Sequence, residues 1–80
     1  MDVNQIFNIL CEHISDVLVL EDDQVITQTD SMAALGANSI DRSEIIMMTL
    51  ETLELNIPLV DTFGPKNLGE LAQLLASKLN

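Results

Sequence analysis

The sequence predicts an all-α fold, a bundle of four helices in which the third is very short and a long loop joins the first two. Apolar residues recur at steps of three and four in three segments, which is the spacing of a buried helical stripe, and no segment alternates as a strand does. The chain has only 80 residues and contains no Trp or Tyr, so we expect a single domain over residues 1–80 with a thin, aliphatic core.

The first helix is predicted from Val3 to Leu18. Its apolar residues fall on one face: Val3, Ile6, Phe7, Leu10, Ile14, Val17 and Leu18. On the same segment we expect Cys11 to be a small buried hydrophobic residue and His13 to be an exposed helix residue. Neither has a plausible set of partners for a metal site.

Residues 19–38 lose this period and are predicted to form a long ordered loop. The acidic run at 21–23 is expected to be a solvated patch, because three adjacent carboxylates lack the spacing of a calcium loop. Apolar residues spread along the loop are expected to hold it against the bundle: Leu20, Val25, Ile26, Met32 and Leu35.

The second helix is predicted from about Ser39 to Leu55, because Gly36 gives the backbone freedom and Asn38 is a favoured N-cap with Asp41 three residues later. One face is expected in the core: Ile46, Thr49, Leu50 and Leu53. A second stripe faces elsewhere: Ile40, Glu44, Met47, Glu51 and Glu54.

The pair Ile57-Pro58 ends this helix, and residues 61–63 leave room for only a turn or two before Gly64-Pro65. Asn67 followed by Glu70 resembles a capping box that begins the closing helix. The apolar residues of that helix again recur at helical spacing: Leu68, Leu71, Ala72, Leu75 and Leu79.

The charge of the chain excludes several classes of function. Thirteen Asp and Glu stand against three Lys and Arg, a formal charge of −10, which repels nucleic acid and anionic membranes and attracts basic partners. No apolar run approaches the roughly 18 residues of a membrane span, and the N-terminus lacks a basic signal region. A single cysteine permits no disulfide framework. We expect a soluble, cytoplasmic monomer without a metal.

Ser39 is the candidate for chemistry, because it stands at the exposed start of a helix after a flexible glycine. A serine there is most often a simple cap. A serine hydrolase would need an oriented base, yet the one histidine lies in the first helix and no oxyanion glycine run is near, so no catalytic residue is assigned. A modified serine needs only an accessible hydroxyl, and a helix N-terminus suits the resulting phosphodiester.

The segment resembles the acyl and peptidyl carrier family, whose hallmark is a glycine, then Asp-Ser-Leu opening the second helix, and a glutamate five residues after the serine. The residues on those positions are Gly36, Ser39, Ile40, Asp41 and Glu44. Helix order, length and the Ile-Pro pair extend the match over nearly the whole chain. The resemblance implies an acyl-carrier-like four-helix bundle, with 4′-phosphopantetheine from coenzyme A on Ser39 and acyl groups held as thioesters on its thiol. Asn38 departs from the usual aspartate but keeps the capping ability.

Residues 36–72 look like the freestanding carriers of polyketide β-branching cassettes, which donate acetyl to a 3-hydroxy-3-methylglutaryl (HMG) synthase-like enzyme. The residues that carry that likeness are Asn38, Asp41-Arg42, Met47-Met48, and Phe63-Gly64 with Asn67 through Ala72. It implies a malonyl, then acetyl, cargo. It also implies four partner enzymes: a phosphopantetheinyl transferase, an acyltransferase, a decarboxylating ketosynthase-like enzyme and an HMG-CoA synthase-like enzyme. The chain itself would be a carrier and not an enzyme.

The runner-up interpretations are a general carrier for fatty-acid synthesis and a D-alanyl or aminoacyl carrier. From another class, an acidic adaptor or inhibitor would use the same second helix to mask a basic protein surface. In the carrier interpretation, partner enzymes are expected to contact five residues beside the arm: Ile40, Asp41, Glu44, Met47 and Glu51.

Overall fold

The computed structural model describes residues 1–20 and 23–79. Its elements follow in the order α1 (Val3–Val17), α2 (Ser39–Thr52), a 3-10 helix (Leu59–Thr62) and α3 (Leu68–Leu79), with no strand in the described ranges. The predicted all-α fold, the long loop and the very short third helix are therefore confirmed. Residues 21 and 22 of the predicted acidic patch lie outside the described residues, and Asp23 is exposed.

Helix α1 begins at a capping box in which the Asp2 carboxylate accepts the Gln5 backbone N–H and the Gln5 side chain accepts the Asp2 N–H, at 2.8 and 2.9 Å. The helix packs against both α2 and α3, so its apolar stripe forms the middle of the core. The buried hydrophobic residues are Ile6, Leu10, Ile14, Met32, Ile45, Ile46, Leu50, Leu53, Leu68, Leu71, Ala72, Leu75 and Ala76.

Two expectations for α1 need correction. The His13 side chain is only 16% exposed, because its Nε2 lies 2.8 Å from the Thr52 hydroxyl of α2 and the ring is held between the two helices. Cys11 is half-buried and not fully buried, and this partial burial raises the pKa of its thiol. The prediction that His13 is exposed was therefore wrong, because helical position alone did not reveal the contact with α2.

The long loop is held against the bundle largely as predicted. Met32 is buried, and Leu20, Ile26 and Leu35 pack half-buried against the core. Val25 is 77% exposed, so its predicted anchoring role is wrong. The next residue, Ile26, is the one that packs against the core, which leaves Val25 facing solvent.

Backbone hydrogen bonds join this loop to the start of α3. The N–H of Leu68 donates to the Asp30 carbonyl at 2.9 Å, and that of Gly69 to the Gln28 carbonyl at 2.8 Å. A Cβ on Gly69 would lie 3.1 Å from Gln28, so a residue without a side chain suits this approach. The loop thus satisfies N–H groups that the first turn of α3 leaves without helical partners.

Helix α2 ends at Thr52, three residues before the predicted end at Leu55. The N–H of Leu55 donates to the Leu50 carbonyl at 2.9 Å and that of Glu54 to the Glu51 carbonyl at 3.1 Å, which is the hydrogen-bond pattern of a Schellman C-cap. Glu54 takes the left-handed conformation of this motif, with φ of 54°. The helix therefore ends at this Schellman motif, before Pro58 is reached.

The 3-10 helix begins directly after Pro58, whose extended backbone precedes it, and covers residues 59–62 where the sequence predicted 61–63. Helix α3 begins as predicted after Asn67, whose side-chain oxygen accepts the Glu70 N–H at 2.8 Å. Among the described residues, no helix has the length and apolar character needed to cross a membrane.

Candidate attachment site

The first turn of α2 is fixed by the predicted capping residues. The Asn38 side-chain oxygen accepts the Asp41 backbone N–H at 2.8 Å, and the Asp41 carboxylate accepts the Asn38 N–H at 3.3 Å. This reciprocal capping box defines where the helix begins and gives Asp41 a half-buried position. Gly36, two residues before Asn38, has φ of 100°, a conformation that glycine adopts without strain. The chain therefore turns into the helix at Gly36.

Ser39 is the first residue of α2 and is exposed. Because Asn38 caps the helix, the Ser39 hydroxyl is not needed as a cap. Backbone N–H groups in the first turn of a helix lack helical acceptors, and together with the helix dipole they favour a negative charge beside them. The position therefore combines an accessible hydroxyl with a backbone environment that stabilises a phosphate ester.

A shallow open groove of about 560 Å³ runs from Ser39 along the outer face of α2. Ile40 is 76% exposed and Met47 is 59% exposed, so two large apolar side chains face solvent in the same groove. The complete lining is Ser39, Ile40, Ser43, Glu44, Met47, Met48 and Glu51. An apolar strip next to Ser39 is thus bordered by carboxylates.

The structure brings four of the five predicted contact residues onto this groove: Ile40, Glu44, Met47 and Glu51. Asp41 lies on the same turn, but its carboxylate is occupied by the capping box. Sequence reasoning missed Ser43 and Met48, although Ser43 lies one turn after Ser39 and Met48 one turn after Glu44, each four residues from another residue of the groove.

Sequence reasoning also missed the contact between Arg42 and Phe63, in which the guanidinium lies 4.8 Å from the centre of the ring. This cation–π contact joins the first turn of α2 to the end of the 3-10 helix. No sequence signal gave it, because 21 residues separate the two positions.

The remaining chemical groups do not build a hydrolase around Ser39. His13 contacts Thr52 at the opposite end of α2, which is about 20 Å along the axis from Ser39 at 1.5 Å per residue. Residues 1–20 and 23–79 contain no group of three or more His, Cys, Asp or Glu positioned to hold a metal ion. The described part of the chain therefore places no oriented base next to the serine.

The family model described as "phosphopantetheine attachment site" matches residues 8–75 of the chain. The polyketide biosynthesis acyl-carrier-protein AcpK of Bacillus subtilis is 44% identical over 79 residues, covering 99% of this chain and 96% of that protein. The chain belongs to the acyl carrier protein family. Acyl carrier proteins hold 4′-phosphopantetheine, which is therefore the cofactor of this carrier.

Two further relatives extend the comparison. An acyl carrier protein of Clostridium perfringens is 35% identical over 69 residues, covering 86% of this carrier and 91% of that protein. The crystal structure of the curacin-pathway HMG synthase in complex with an acetyl donor acyl carrier protein contains a chain with TM-score 0.91 and 40% identity, covering 96% of this carrier and 99% of that chain. The likeness spans the whole fold, including the start of α2.

Proposed function

We propose that Ser39 carries the 4′-phosphopantetheine arm, and that the carrier donates an acetyl unit, derived from malonyl, to an HMG synthase-like enzyme during polyketide β-branching. The observation that supports the attachment most strongly is the exposed Ser39 hydroxyl at the first position of α2, beside an apolar groove, in a domain of the phosphopantetheine-attachment family. The arm itself supplies a terminal thiol that holds the acyl group as a thioester.

The residues around Ser39 fit such a group. The capping box occupies Asn38 and Asp41 and leaves the serine free to be modified. The modifying enzyme brings the catalytic groups, so this chain has only to present the hydroxyl in a fixed position. The free N–H groups of the first turn then face a phosphodiester, an anion that they stabilise.

The outer face of α2 suits the enzymes that must find the arm. Glu44 and Glu51 are exposed and attract a basic surface over a long range, whereas Ile40 and Met47 offer apolar contact after encounter. We propose that these four residues, with Asp41, form the shared contact surface for the transferase and the acyl-processing enzymes. The four line the groove that begins at Ser39, so a partner docked on this groove has the arm within reach.

The donor role is supported by the two whole-length relatives of the carrier. One is named for polyketide biosynthesis, and the other is the acetyl donor bound to an HMG synthase. Both share at least 40% of residues with this chain and align with nearly all of it. We propose that the partner enzymes include an acyltransferase and a decarboxylating ketosynthase-like enzyme, which would convert malonyl to acetyl on the arm.

We further propose that residues 1–80 work as one carrier domain in the cytoplasm, as a monomer, and that the chain performs no catalysis of its own. The reason for this location is that the arm comes from coenzyme A and the acyl groups from coenzyme A esters.

Attachment is tested by incubating the carrier with coenzyme A and a phosphopantetheinyl transferase and measuring the intact mass. We expect a gain of one phosphopantetheine, lost completely in Ser39→Ala. The matched control is Ser43→Ala, one helical turn later in the same groove, which should load as the wild type does. Loading of Ser39→Ala, or failure of Ser43→Ala alone, would contradict the assignment of the arm.

The donor role needs a separate assay. The acetyl-loaded carrier is mixed with an HMG synthase-like enzyme from a β-branching pathway, and the acetyl group remaining on the arm is followed by mass. We expect faster transfer than from an acetyl-loaded fatty-acid carrier. Equal transfer from both carriers would favour a general role in fatty-acid synthesis.

A further inference from the structure

The start of α2 has few free backbone donors for a phosphate. The capping box already satisfies two of the N–H groups that a helix start leaves without helical partners, those of Asn38 and Asp41. The N–H of Arg42 donates to the Asn38 carbonyl at 2.9 Å, which is the first hydrogen bond of the helix itself. The groups that remain for a phosphodiester on Ser39 are therefore the N–H groups of Ser39 and Ile40.

The carboxylates near Ser39 oppose a further negative charge. Asp41 lies in the same turn of α2, and Glu44 is exposed in the groove that begins at Ser39. The whole chain has a formal charge of −10 before the arm adds its phosphodiester. Like charges on neighbouring positions of a helix repel one another, so the loaded carrier is destabilised unless a cation lies close to the phosphate.

Arg42 is a cation one helical turn after Ser39, roughly 4.5 Å along the axis. Residues three apart are neighbours on a helix surface, and long helical side chains lean toward the N-terminus of their helix. The side chain at position 42 therefore extends toward the turn that contains Ser39. The other two basic residues, Lys66 and Lys78, lie outside α2. Arg42 is thus the cation that α2 itself places beside the attachment point.

The Phe63 ring holds the guanidinium of Arg42 without using its hydrogen-bond donors. The guanidinium lies 4.8 Å from the ring centre, where the face of the ring attracts the cation. In residues 1–20 and 23–79 the one ion pair joins His13 and Asp16, so Arg42 forms none with a described carboxylate. A guanidinium has five N–H donors in a planar fork that matches the oxygens of a phosphate. These donors are available to an anion on the neighbouring turn.

We propose that Arg42 is a positioning residue for the arm, and that its guanidinium binds the phosphodiester on Ser39 while it remains stacked on the Phe63 ring. The proposal rests on the proposed attachment of the arm at Ser39 and adds a second, non-covalent contact between this chain and the arm. The capping box fixes the backbone at Ser39, and the ring limits the motion of Arg42. The phosphate is then held from two sides.

The contact restricts the first bonds of the arm and leaves its far end free. Arg42 fixes the phosphate next to Ser39, whereas the part of the arm that ends in the thiol remains mobile. The cation also offsets the charge that the phosphodiester adds beside Asp41 and Glu44. A partner that docks on the outer face of α2 then meets an arm that leaves the helix in one direction, and part of the cost of ordering the arm is met before encounter.

The test follows the phosphorus atom by ³¹P NMR in the carrier loaded with the bare arm, after intact mass confirms one arm per chain. The reference is an unstructured serine peptide that carries the same arm. We expect Arg42→Gln to remove more than half of the displacement between the wild-type and reference signals and to sharpen the line. Arg42→Lys should give an intermediate displacement, because an ammonium lacks the planar fork. Added salt should shift the wild-type signal toward that of Arg42→Gln.

A second variant separates a positioned contact from a general effect of charge. Phe63→Leu keeps every charge and removes the ring that holds the guanidinium, so it should shift the phosphorus signal in the same direction as Arg42→Gln by a smaller amount. Lys66→Gln and Lys78→Gln each remove one positive charge, as Arg42→Gln does, and their signals should stay at the wild-type position. Circular dichroism of each loaded variant measures whether the fold is retained.

An unchanged phosphorus signal in Arg42→Gln would overturn the proposal. An equal displacement in either lysine variant would also overturn it, because the net charge of the carrier would then govern the signal. An unchanged signal in Phe63→Leu would contradict the part assigned to the ring. A wild-type carrier that does not load contradicts the attachment at Ser39, whereas one that loads without a dependence on Arg42 contradicts only this contact.

Discussion

The two faces of α2 contain similar side chains that do different work. On the inner face Ile45 and Ile46 are 0% and 1% exposed, whereas on the outer face Ile40 and Met47 are 76% and 59% exposed. The buried Thr49 satisfies its hydroxyl by donating to the Ile45 carbonyl at 2.8 Å, so the inner face needs no contact with water. Position on the helix, and not residue type, separates side chains that stabilise the fold from those available to partners.

The comparison also explains how a thin core tolerates so exposed a helix. The inner face buries one side of α2 against α1 and the 3-10 helix, and this packing holds the helix in place. The outer face is then free to combine apolar and acidic residues without a stability requirement. Substitutions on the two faces should therefore change the free energy of unfolding by different amounts, from a large decrease to a small increase.

The largest effect is expected from Ile46→Ala, which leaves a cavity in the core and should lower the free energy of unfolding by about 2–5 kcal/mol. The matched outer-face variant Met47→Ala should change it by less than about 0.5 kcal/mol, because that side chain is 59% exposed. Urea denaturation followed by circular dichroism measures both. Similar losses for the two variants would show that the outer face also supports the fold.

Charge reversal on the outer face is expected to act on recognition. Glu44→Lys and Glu51→Lys should slow association with the transferase by roughly tenfold at low salt and weaken its salt dependence, because exposed charges steer encounter. Ile40→Ala and Met47→Ala should instead mainly speed dissociation, since apolar contacts form only after encounter. Stopped-flow mixing of each variant with the transferase measures both rates.

The controls for charge reversal are Glu12→Lys on α1 and Glu70→Lys on α3, both exposed residues away from the groove. They change the net charge by the same amount as Glu44→Lys does. If they slow association equally, the total charge of the protein governs encounter and the outer face of α2 has no special part in it.

The cap of α2 should contribute less than its inner face. Asn38→Ala removes the acceptor for the Asp41 N–H and is expected to lower the free energy of unfolding by about 1 kcal/mol. Asn38→Asp keeps the acceptor and should remain near wild type. Both are measured by urea denaturation, and a full loss of stability in Asn38→Asp would show that the amide nitrogen has a role that the hydrogen bonds above do not include.

The smallest expected effect is a gain in stability. Glu54 adopts φ of 54° directly after the C-cap of α2, where glycine is free of the Cβ penalty, so Glu54→Gly should raise the free energy of unfolding by up to about 1 kcal/mol. Glu54→Ala keeps a Cβ and serves as the control, with no gain expected. A loss of stability in Glu54→Gly would mean that added freedom of the unfolded chain outweighs the strain relieved.

The sequence by itself determined the local features of this carrier. Spacing at three and four residues indicated α1, α2 and α3, the residues Asn38 and Asp41 indicated the start of α2, and the motif around Ser39 indicated the family. Each of these depends on residues within a few positions of one another, where backbone geometry and capping fix the outcome. The exposed stripe of α2 followed from the same periodicity.

Only the tertiary structure decided which distant residues meet. His13 contacts Thr52 across 39 positions, Gln28 accepts the Gly69 N–H, and Ile45 is fully buried although the predicted inner face began at residue 46. A cavity of about 350 Å³ likewise has walls from four segments: the long loop, α2, the 3-10 helix and residues 65–71. Periodicity gives the direction of a side chain from its own helix, but burial and contact depend on what the rest of the chain places opposite it.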